Sequence, residues 1–229
     1  MGGVIDVRAT GTDGSDRMVV TGSDAADRFA LSVSGTAPNQ VATIQALELN
    51  AGSALSNGLK ITHAGVDDVE IDTRLGDDRI AVKAIHTRTW FNTGAGNDAL
   101  YFGSNATLGG LNQPDTNVGG ALDDINAAVT VNGQGTSDQD LMWLDDTVDA
   151  TINRGTLTAT RIVNGVSGAS GVGLMGANGS FTYGTLESLR IALGNAPAGV
   201  QGNVFTIEST HGNGSRTTLV GGSGAEVVN

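Results

Sequence analysis

The sequence predicts an all-β protein built as a β-solenoid, with rungs of about 20 residues joined by glycine- and aspartate-rich turns. Three observations support this prediction. The 229 residues include 35 glycines but only 3 prolines, so the glycines serve turns rather than a disordered linker. Only 4% of residues are aromatic, and most apolar residues are small or β-branched, which suits a thin, stacked core. Finally, one short unit recurs along the chain.

The recurring unit is a glycine turn, an acid and an alternating strand. In its clearest copy, Gly94 and Gly96 allow a tight turn that includes positions with positive φ. Asp98 then directs a carboxylate back toward the turn. Leu100 and Phe102 follow at every second position, which is the period of a half-buried strand.

Further copies appear wherever a turn is followed by an acid or amide and then, two residues later, by an apolar residue. Two of the intervals between copies match a single rung, namely the step from Asp78 to Asp98 and the step from Asn203 to Glu226. The seven positions are Asp16, Asp27, Asp78, Asp98, Asp140, Asn203 and Glu226.

The longer intervals need an interpretation of their own. From Asp98 to Asp140 is 42 residues and from Asp140 to Asn203 is 63, which suggests two and three units of about 21. From Asp27 to Asp78 is 51 residues, which requires an insertion.

Strand-like segments fill the intervals, and no segment sustains the 3.6-residue apolar period of a helix. Two irregular, glycine-rich stretches, 103–127 and 165–179, are predicted to be loop excursions. Because the chain stops inside a new strand, we expect 1–229 to be a single solenoid segment of a longer protein. The alternatives are two stacked β modules divided near 103–127 and a sandwich of antiparallel hairpins. The predicted intervening strands are 41–49, 59–62, 69–72, 89–92, 128–132, 150–153 and 189–193.

Charge and composition exclude several functions. The net charge is −12 and Lys60 and Lys83 are the only lysines, which disfavours nucleic acid and anionic membrane surfaces as partners. No apolar run approaches the ~20 residues of a membrane span. The absence of cysteine excludes disulfides and thiolate metal sites. Excess carboxylate suits divalent cations, but it equally suits simple solubility through self-repulsion.

The turns offer the oxygen ligands that calcium requires. Ca²⁺ takes 6–8 oxygens, more than one turn supplies, so a site is expected between two turns stacked one rung apart. The alternative is that the acids only cap turns through their own backbone N–H groups. The strongest predicted site has side-chain ligands Asp77, Asp78, Asn97 and Asp98, with carbonyl oxygens from Gly76, Gly94 and Gly96.

Two further calcium sites are predicted from looser patterns. Asp138 and Asp140 follow a glycine-bearing turn in one of them. Asp16 and Asp27 belong to the other, and their short separation would place two turns on opposite edges of one coil.

These turns resemble the glycine- and aspartate-rich repeats of RTX-type, hemolysin-like calcium-binding proteins. The C-terminal third is similar to the strand repeats of giant bacterial exoproteins. The resemblance implies a right-handed parallel β-helix or β-roll outside the cell, with Ca²⁺ held between stacked turns. RTX repeats run in a nonapeptide period, whereas here only 93–101 and 221–229 come close to that pattern. The segments similar to exoprotein repeats are 155–162, 181–194, 205–211 and 217–224.

Together these features predict a structural or adhesive module of a secreted or cell-surface bacterial protein, not an enzyme. Its expected partners are other copies, joined end to end, or a cell-surface polysaccharide. The alternative is a carbohydrate-active or carbohydrate-binding β-helix, lyase- or epimerase-like, which needs acids clustered on one face. The acids instead sit in turns, and the histidines are scattered. Aromatic residues for a sugar-stacking patch would be Trp90, Phe91, Tyr101 and Trp143.

Overall fold

A computed structural model describes most of the chain and confirms the all-β class. The described residues contain strands, turns and bends but no helix. They comprise 4–8, 14–49, 54–111, 113–135, 137–165, 172–195, 201–212, 214–222 and 224–229.

Nineteen strands make up the described structure, most of them four to seven residues long. In chain order they are β1 (Val4–Arg8), β2 (Arg17–Thr21), β3 (Arg28–Ser34), β4 (Val41–Leu49), β5 (Leu55–Ala64), β6 (Asp68–Asp72), β7 (Arg79–Val82), β8 (Arg88–Asn92), β9 (Ala99–Phe102), β10 (Ala128–Asn132), β11 (Leu141–Asp145), β12 (Asn153–Leu157), β13 (Arg161–Asn164), β14 (Val172–Gly173), β15 (Ser180–Gly184), β16 (Ser188–Ala192), β17 (Gln201–Ile207), β18 (Arg216–Val220) and β19 (Ala225–Val228).

The strands form two large mixed sheets. The first has nine strands in the order β1-β5-β4-β3-β7-β9-β11-β16-β18. The second has ten, including β14 beside β12, and its main path runs β19-β17-β12-β13-β15-β10-β8-β6-β2. Among the described strands, antiparallel pairing is confined to the β3-β4-β5 and β12-β13-β15 stretches, and the other pairs are parallel.

From β6 to β11 the chain alternates between the two sheets, so that each passage through both forms one rung. Neighbouring rungs from β6 to β9 are offset by the predicted period, because Asp68 pairs with Arg88 in the second sheet and Ile80 pairs with Leu100 in the first. The period is therefore correct for this part of the chain. Because the strands are parallel and in register, equivalent turn residues stack on one another.

Alternation along each strand sends one set of apolar side chains between the sheets. Ile71 and Phe91 from the second sheet are fully buried there against Ile80 and Leu100 from the first. At the centre, the Phe102 ring lies edge-on to two rings of the second sheet, with centroids 5.8 Å from Phe91 and 4.8 Å from Phe181.

The long interval from Asp27 to Asp78 does contain the predicted insertion. Leu31 of β3 pairs directly with Val82 of β7. The intervening residues include the antiparallel strands β4 and β5, which extend the first sheet from the other side of β3.

The interpretation of the intervals from Asp98 to Asp140 and from Asp140 to Asn203 was wrong. Leu100 pairs with Met142, so the step from Asp98 to Asp140 is one rung lengthened by an excursion, not two rungs. Asp140 and Asn203 do not even belong to equivalent turns. Asp140 precedes β11 of the first sheet, whereas Asn203 lies in β17 of the second. Sequence spacing alone cannot distinguish an inserted loop from an additional rung.

The excursion 103–127 contains no strand among its described residues but is not detached from the body. Leu122 and Ile125 are fully buried in the main core, and Ile125 forms an isolated bridge with Ile85. The Asn117 side chain donates to the carbonyl oxygens of both Phe102 and Trp143, which anchors the segment to two strands. Of the second predicted excursion, 166–171 lies outside the described residues.

Candidate metal centre

Five acids stack where the chain passes from the second sheet to the first. Each stands immediately before a strand of the first sheet, namely β3, β7, β9, β11 or β16. Since those strands are parallel neighbours, their preceding residues form a row. We call this row the carboxylate column; its members are Asp27, Asp78, Asp98, Asp140 and Glu187.

Hydrogen bonds run along the carboxylate column in one direction. The backbone N–H of each of the first four members donates to the carboxylate of the next, so every carboxylate except that of Asp27 is held in place by a neighbouring rung. The donor–acceptor distances are 2.6 Å from Asp27 to Asp78, 2.8 Å from Asp78 to Asp98, 2.9 Å from Asp98 to Asp140 and 2.8 Å from Asp140 to Glu187.

The three central acids are buried, and each has one unsatisfied oxygen. Asp78, Asp98 and Asp140 are at most 1% exposed. Their Oδ2 atoms have no hydrogen-bond partner among the described residues. Burial raises the pKa of Asp78 and of Asp140 to about 7, and it also raises the pKa of Asp98. Neighbouring carboxylates in the column act in the same direction.

The densest group of oxygens lies at the C-terminal end of the column. One carboxylate oxygen each from Asp138, Asp140 and Glu187 lie within 4.8 Å of one another. Asp138 Oδ1 is also buried without a partner among the described residues. A divalent cation fits this donor set, because it would satisfy the orphaned oxygens and offset their mutual repulsion. Three side chains leave further calcium ligands to water or backbone oxygens.

The predicted ligands of the strongest site are divided between two columns. Asp77 and Asn97 belong to an exposed outer column in which the Asn97 N–H donates to Asp77 Oδ1 at 2.8 Å, and Gln139 N–H donates to Asn97 Oδ1 at 2.9 Å. Adjacent residues in extended backbone face opposite ways, so Asp77 and Asn97 point away from Asp78 and Asp98. The four side chains therefore do not converge on one point.

The glycines that were predicted to supply carbonyl ligands allow close stacking of the rungs. A Cβ at Gly94 would lie 1.6 Å from the Arg74 carbonyl oxygen. A Cβ at Gly96 would lie 2.0 Å from the carbonyl oxygen of Gly76. The Gly76 carbonyl therefore packs directly against the next rung. Gly76 itself donates its N–H to the Ala95 carbonyl oxygen. All three glycines have positive φ, which the turn requires.

The third predicted site is split between two edges of the molecule. Asp16 stands before β2 of the second sheet, and its N–H donates to Asp67 Oδ2 at 2.9 Å. Asp27 stands before β3 of the first sheet, and its Oδ2 accepts the N–H of Ser23 in its own turn at 2.6 Å. The two acids thus lie on opposite edges of one coil, as their short separation indicated, and Asp27 acts as a turn cap.

A second buried acidic cluster, at the turn from the first sheet to the second, satisfies its own oxygens. Asp146 accepts from the Leu122 N–H and the Asn153 side-chain amide, and Asp149 accepts from Thr151 and Asn153. Burial raises the pKa of Asp146 to about 8. These bonds shape a turn, so the strand predicted over 150–153 is wrong and β12 begins only at Asn153.

Glu187 was not predicted as a ligand, although the apolar pattern that follows the other column acids is present after it. Leu189 and Ile191 follow it at the second and fourth positions, as in the other units. No glycine lies between β15 and β16, so Glu187 did not match the pattern of an acid that follows a glycine-bearing turn. Thr185 takes the left-handed conformation instead, with φ of 52°.

The four aromatic residues named for a sugar-stacking patch do not gather on one surface, although Tyr101 and Trp143 contact each other on the first sheet, with ring centroids 6.1 Å apart. Trp90 lies on the second sheet beneath Arg88, whose guanidinium carbon is 5.0 Å from the ring centroid. Trp143 lies on the first sheet beneath Arg190, at 4.6 Å. Phe91 is fully buried in the core between the sheets.

Comparison with known proteins identifies no relative. Neither the protein-family models, nor the curated proteins, nor the solved structures contain a match to this chain. Within the part of the chain that the structure describes, no helix is long and apolar enough to cross a membrane.

Proposed function

We propose that this chain is a structural or adhesive β-solenoid module of a secreted or cell-surface bacterial protein, stabilised by Ca²⁺ bound at its carboxylate column. The observation that carries the proposal is the group formed by Asp138, Asp140 and Glu187. These three acids come from two rungs, and their carboxylate oxygens lie close together. Asp138 and Asp140 each have a buried oxygen that accepts no hydrogen bond from a described residue. The resemblance of the turns to RTX-type repeats favours calcium among divalent cations.

The winding proposed for the module is a right-handed parallel β-helix. Its support is the alternation of successive strands between two sheets and the parallel, in-register pairing of neighbouring rungs. Parallel connections of this kind are right-handed in about 98% of cases. The hairpins β4–β5 and β12–β13 are insertions into this winding.

Binding of a cation would stabilise the folded state electrostatically. With no cation bound, the stacked carboxylates must either hold protons or repel one another in a poorly solvated turn. A bound cation offsets this repulsion and releases the protons, so binding free energy becomes folding free energy. A module of this kind would be loose in the calcium-poor cytoplasm and would become ordered in millimolar external calcium.

The proposed role is architectural rather than catalytic because the column acids are engaged in structure. Their carboxylates accept backbone N–H groups from neighbouring rungs, and the central three are inaccessible to a large substrate. An acid that acts on a polysaccharide must instead reach the scissile bond.

Thermal unfolding in millimolar CaCl₂ and in EDTA, at matched ionic strength and with MgCl₂ as a control, tests the proposal. We expect a higher midpoint in CaCl₂ only. The double variant Asp138→Asn/Asp140→Asn should lose this gain, while Asp124→Asn, an exposed acid outside the column, should keep it. Equal midpoints of the unaltered protein in CaCl₂ and EDTA would disprove calcium binding and leave a metal-free structural module.

A further inference from the structure

A groove opens beside the inserted hairpin β4–β5, where the chain passes from the first sheet to the second. In the second sheet β6 and β8 are neighbours, whereas in the first sheet β4 and β3 stand between β5 and β7. The turns 65–67 and 83–87 lead from β5 to β6 and from β7 to β8. They therefore begin three strand spacings apart, about 14 Å, and end one spacing apart, about 5 Å.

We call the space between these two turns the insertion groove. Its polar outer part has a volume of about 250 Å³ and is also bounded by Pro38 and Gln40 of the β3–β4 connection. A smaller cavity of about 20 Å³ lies against the core, with room for about one water molecule. The residues that line both spaces are Val33, Ala42, His63, His86 and Thr87.

The insertion groove brings together two of the three histidines of the chain. His63 lies near the end of β5, two positions after the inward-facing Ile61, and pairs with Ala42 of β4. His86 lies in the turn between β7 and β8. The two histidines are far apart in sequence, but neighbouring turns place both on the walls of the same small cavity.

The imidazole of His63 is buried without a hydrogen bond. The residue is 4% exposed, and no described residue donates a hydrogen bond to its ring or accepts one from it. Burial lowers the pKa of His63, so the ring is neutral and retains a lone pair for a ligand. Because buried polar groups in native proteins nearly always have a partner, this ring calls for one.

The second imidazole is half-buried and is oriented by a neighbouring amide. Gln40 Nε2 lies 3.5 Å from His86 Nε2. A polar contact at one ring nitrogen selects the tautomer of an imidazole, and it is a common means of orienting a histidine toward a metal ion.

We propose that His63 and His86 together bind one divalent transition-metal ion, of the class of Zn²⁺, Ni²⁺ or Cu²⁺, in the insertion groove. Neutral imidazole suits these ions, whereas Ca²⁺ takes oxygen ligands. No acid or third histidine among the described residues completes a group of three with this pair. The remaining coordination positions are therefore left to water in the groove and to the Gln40 amide oxygen. The site is distinct from the carboxylate column, which offers only oxygen.

A metal ion in this position would join the inserted hairpin to the regular rungs. His63 belongs to β5 of the hairpin, and His86 belongs to the turn that connects two rung strands. Within the first sheet, β5 reaches β7 only through β4 and β3. An ion bound by both parts stabilises the folded state by mass action, so the melting midpoint should rise with its concentration.

Isothermal titration calorimetry with Zn²⁺, on protein without an affinity tag, tests the site. Millimolar CaCl₂ is present throughout, so that the carboxylate column is occupied. The unaltered chain should bind one equivalent of Zn²⁺. His86→Gln removes a half-buried ligand and should weaken binding by about tenfold or more. His211→Gln is the matched control, because it replaces the third histidine, which lies outside the groove, and it should bind as the unaltered chain does.

Electron paramagnetic resonance of the protein with one equivalent of Cu²⁺ identifies the ligands. The unaltered chain should show coupling to two imidazole nitrogens, and His86→Gln and His63→Gln should each lose one. Circular dichroism checks that each variant is folded, and His86→Gln alone suffices if His63→Gln is not. Equal Zn²⁺ affinity or an identical Cu²⁺ spectrum in the unaltered chain and His86→Gln overturns the proposal.

Zinc binding that survives in His86→Gln but is lost in Asp138→Asn/Asp140→Asn would also overturn it, because the ion would then lie in the carboxylate column. None of these results decides the calcium proposal, which is measured by melting in CaCl₂ without a transition metal.

Discussion

The backbone N–H of Asp98 donates a hydrogen bond to Oδ1 of Asp140, at 2.9 Å and across 42 positions of sequence. The bond shows that the two acids occupy neighbouring rungs, despite the long excursion between them. It also explains why the carboxylate column persists. Each acid after Asp27 supplies an acceptor for the N–H of the rung before it, so parallel stacking itself brings the buried carboxylates together.

Stability should fall as pH rises from about 4 to about 7. The pKa of Asp78 and of Asp140 is about 7 in the folded chain and 3.8 ordinarily. Between these values the folded state holds protons that the unfolded state has released, so the contribution of these two acids to stability is largest below pH 4 and is lost near pH 7. Each tenfold change in the affinity of an acid for its proton corresponds to about 1.4 kcal/mol, so we expect each of the two acids to contribute a fall of a few kcal/mol in the free energy of unfolding.

Chemical denaturation in EDTA at a series of pH values measures this slope. Asp140→Asn supplies the control, because removing one titrating acid should flatten the curve. Two groups act in the opposite direction: burial lowers the pKa of His63 and of His211, which opposes folding in acid. The difference between the unaltered chain and the variant cancels their contribution. Identical slopes for the two proteins would contradict the expected role of Asp140.

Replacing the Asp140 carboxylate by an amide or by a methyl group should have opposite effects in EDTA at pH 8. Asp140→Asn keeps an oxygen that accepts the Asp98 N–H and removes a buried charge, so the melting midpoint should not fall. Asp140→Ala leaves that buried N–H without a partner, which costs about 1–3 kcal/mol. Calorimetry of both variants, with Asp124→Asn as a surface control, measures the effect. A loss of similar size for the amide and for alanine would instead argue that the buried charge itself is stabilising, because both variants remove it.

The local pattern and its period were predictable from the sequence, but the long-range order was not. The unit around Asp98 and the single-rung step from Asp78 follow from turn and strand preferences, which are local. The number of rungs in the longer step to Asp140 could not be predicted from the sequence, because lengthening an inserted loop changes the free energy of folding very little. The structure instead resolves it through backbone pairing between residues far apart in sequence.

Part of the candidate site was also predictable from local sequence patterns. Asp138 and Asp140 were found because they lie in a glycine-bearing turn. Glu187 was missed because its turn uses Thr185 where other turns use glycine. Conversely, Asp77 and Asn97 satisfied the motif but face outward. Which of two adjacent acids points inward depends on the strand register, which the motif does not encode.

Gly94→Ala should be strongly destabilising. The residue has φ of 84°, and the added Cβ would lie 1.6 Å from the Arg74 carbonyl oxygen, so the two rungs would have to separate. We expect a loss of about 2–4 kcal/mol from strain and disrupted stacking. Gly184→Ala is the control, because an added Cβ there meets nothing within 4 Å. Urea denaturation of both variants gives the two values, and a loss of equal size at Gly184 would contradict the steric explanation.

Phe102→Ala separates the contribution of the core from that of the metal. The Phe102 ring is fully buried and contacts Phe91 and Phe181 of the opposite sheet, so its removal should cost about 3–5 kcal/mol. The calcium-dependent rise in melting midpoint should nevertheless persist, because the column acids are unchanged.

Asp140→Asn should show the converse, with little loss in EDTA but a diminished response to calcium. If the two sites are independent, the free-energy changes in the double variant should add to within about 0.5 kcal/mol. A calcium response that vanishes in Phe102→Ala would instead mean that the carboxylate column depends on the packing between the two sheets.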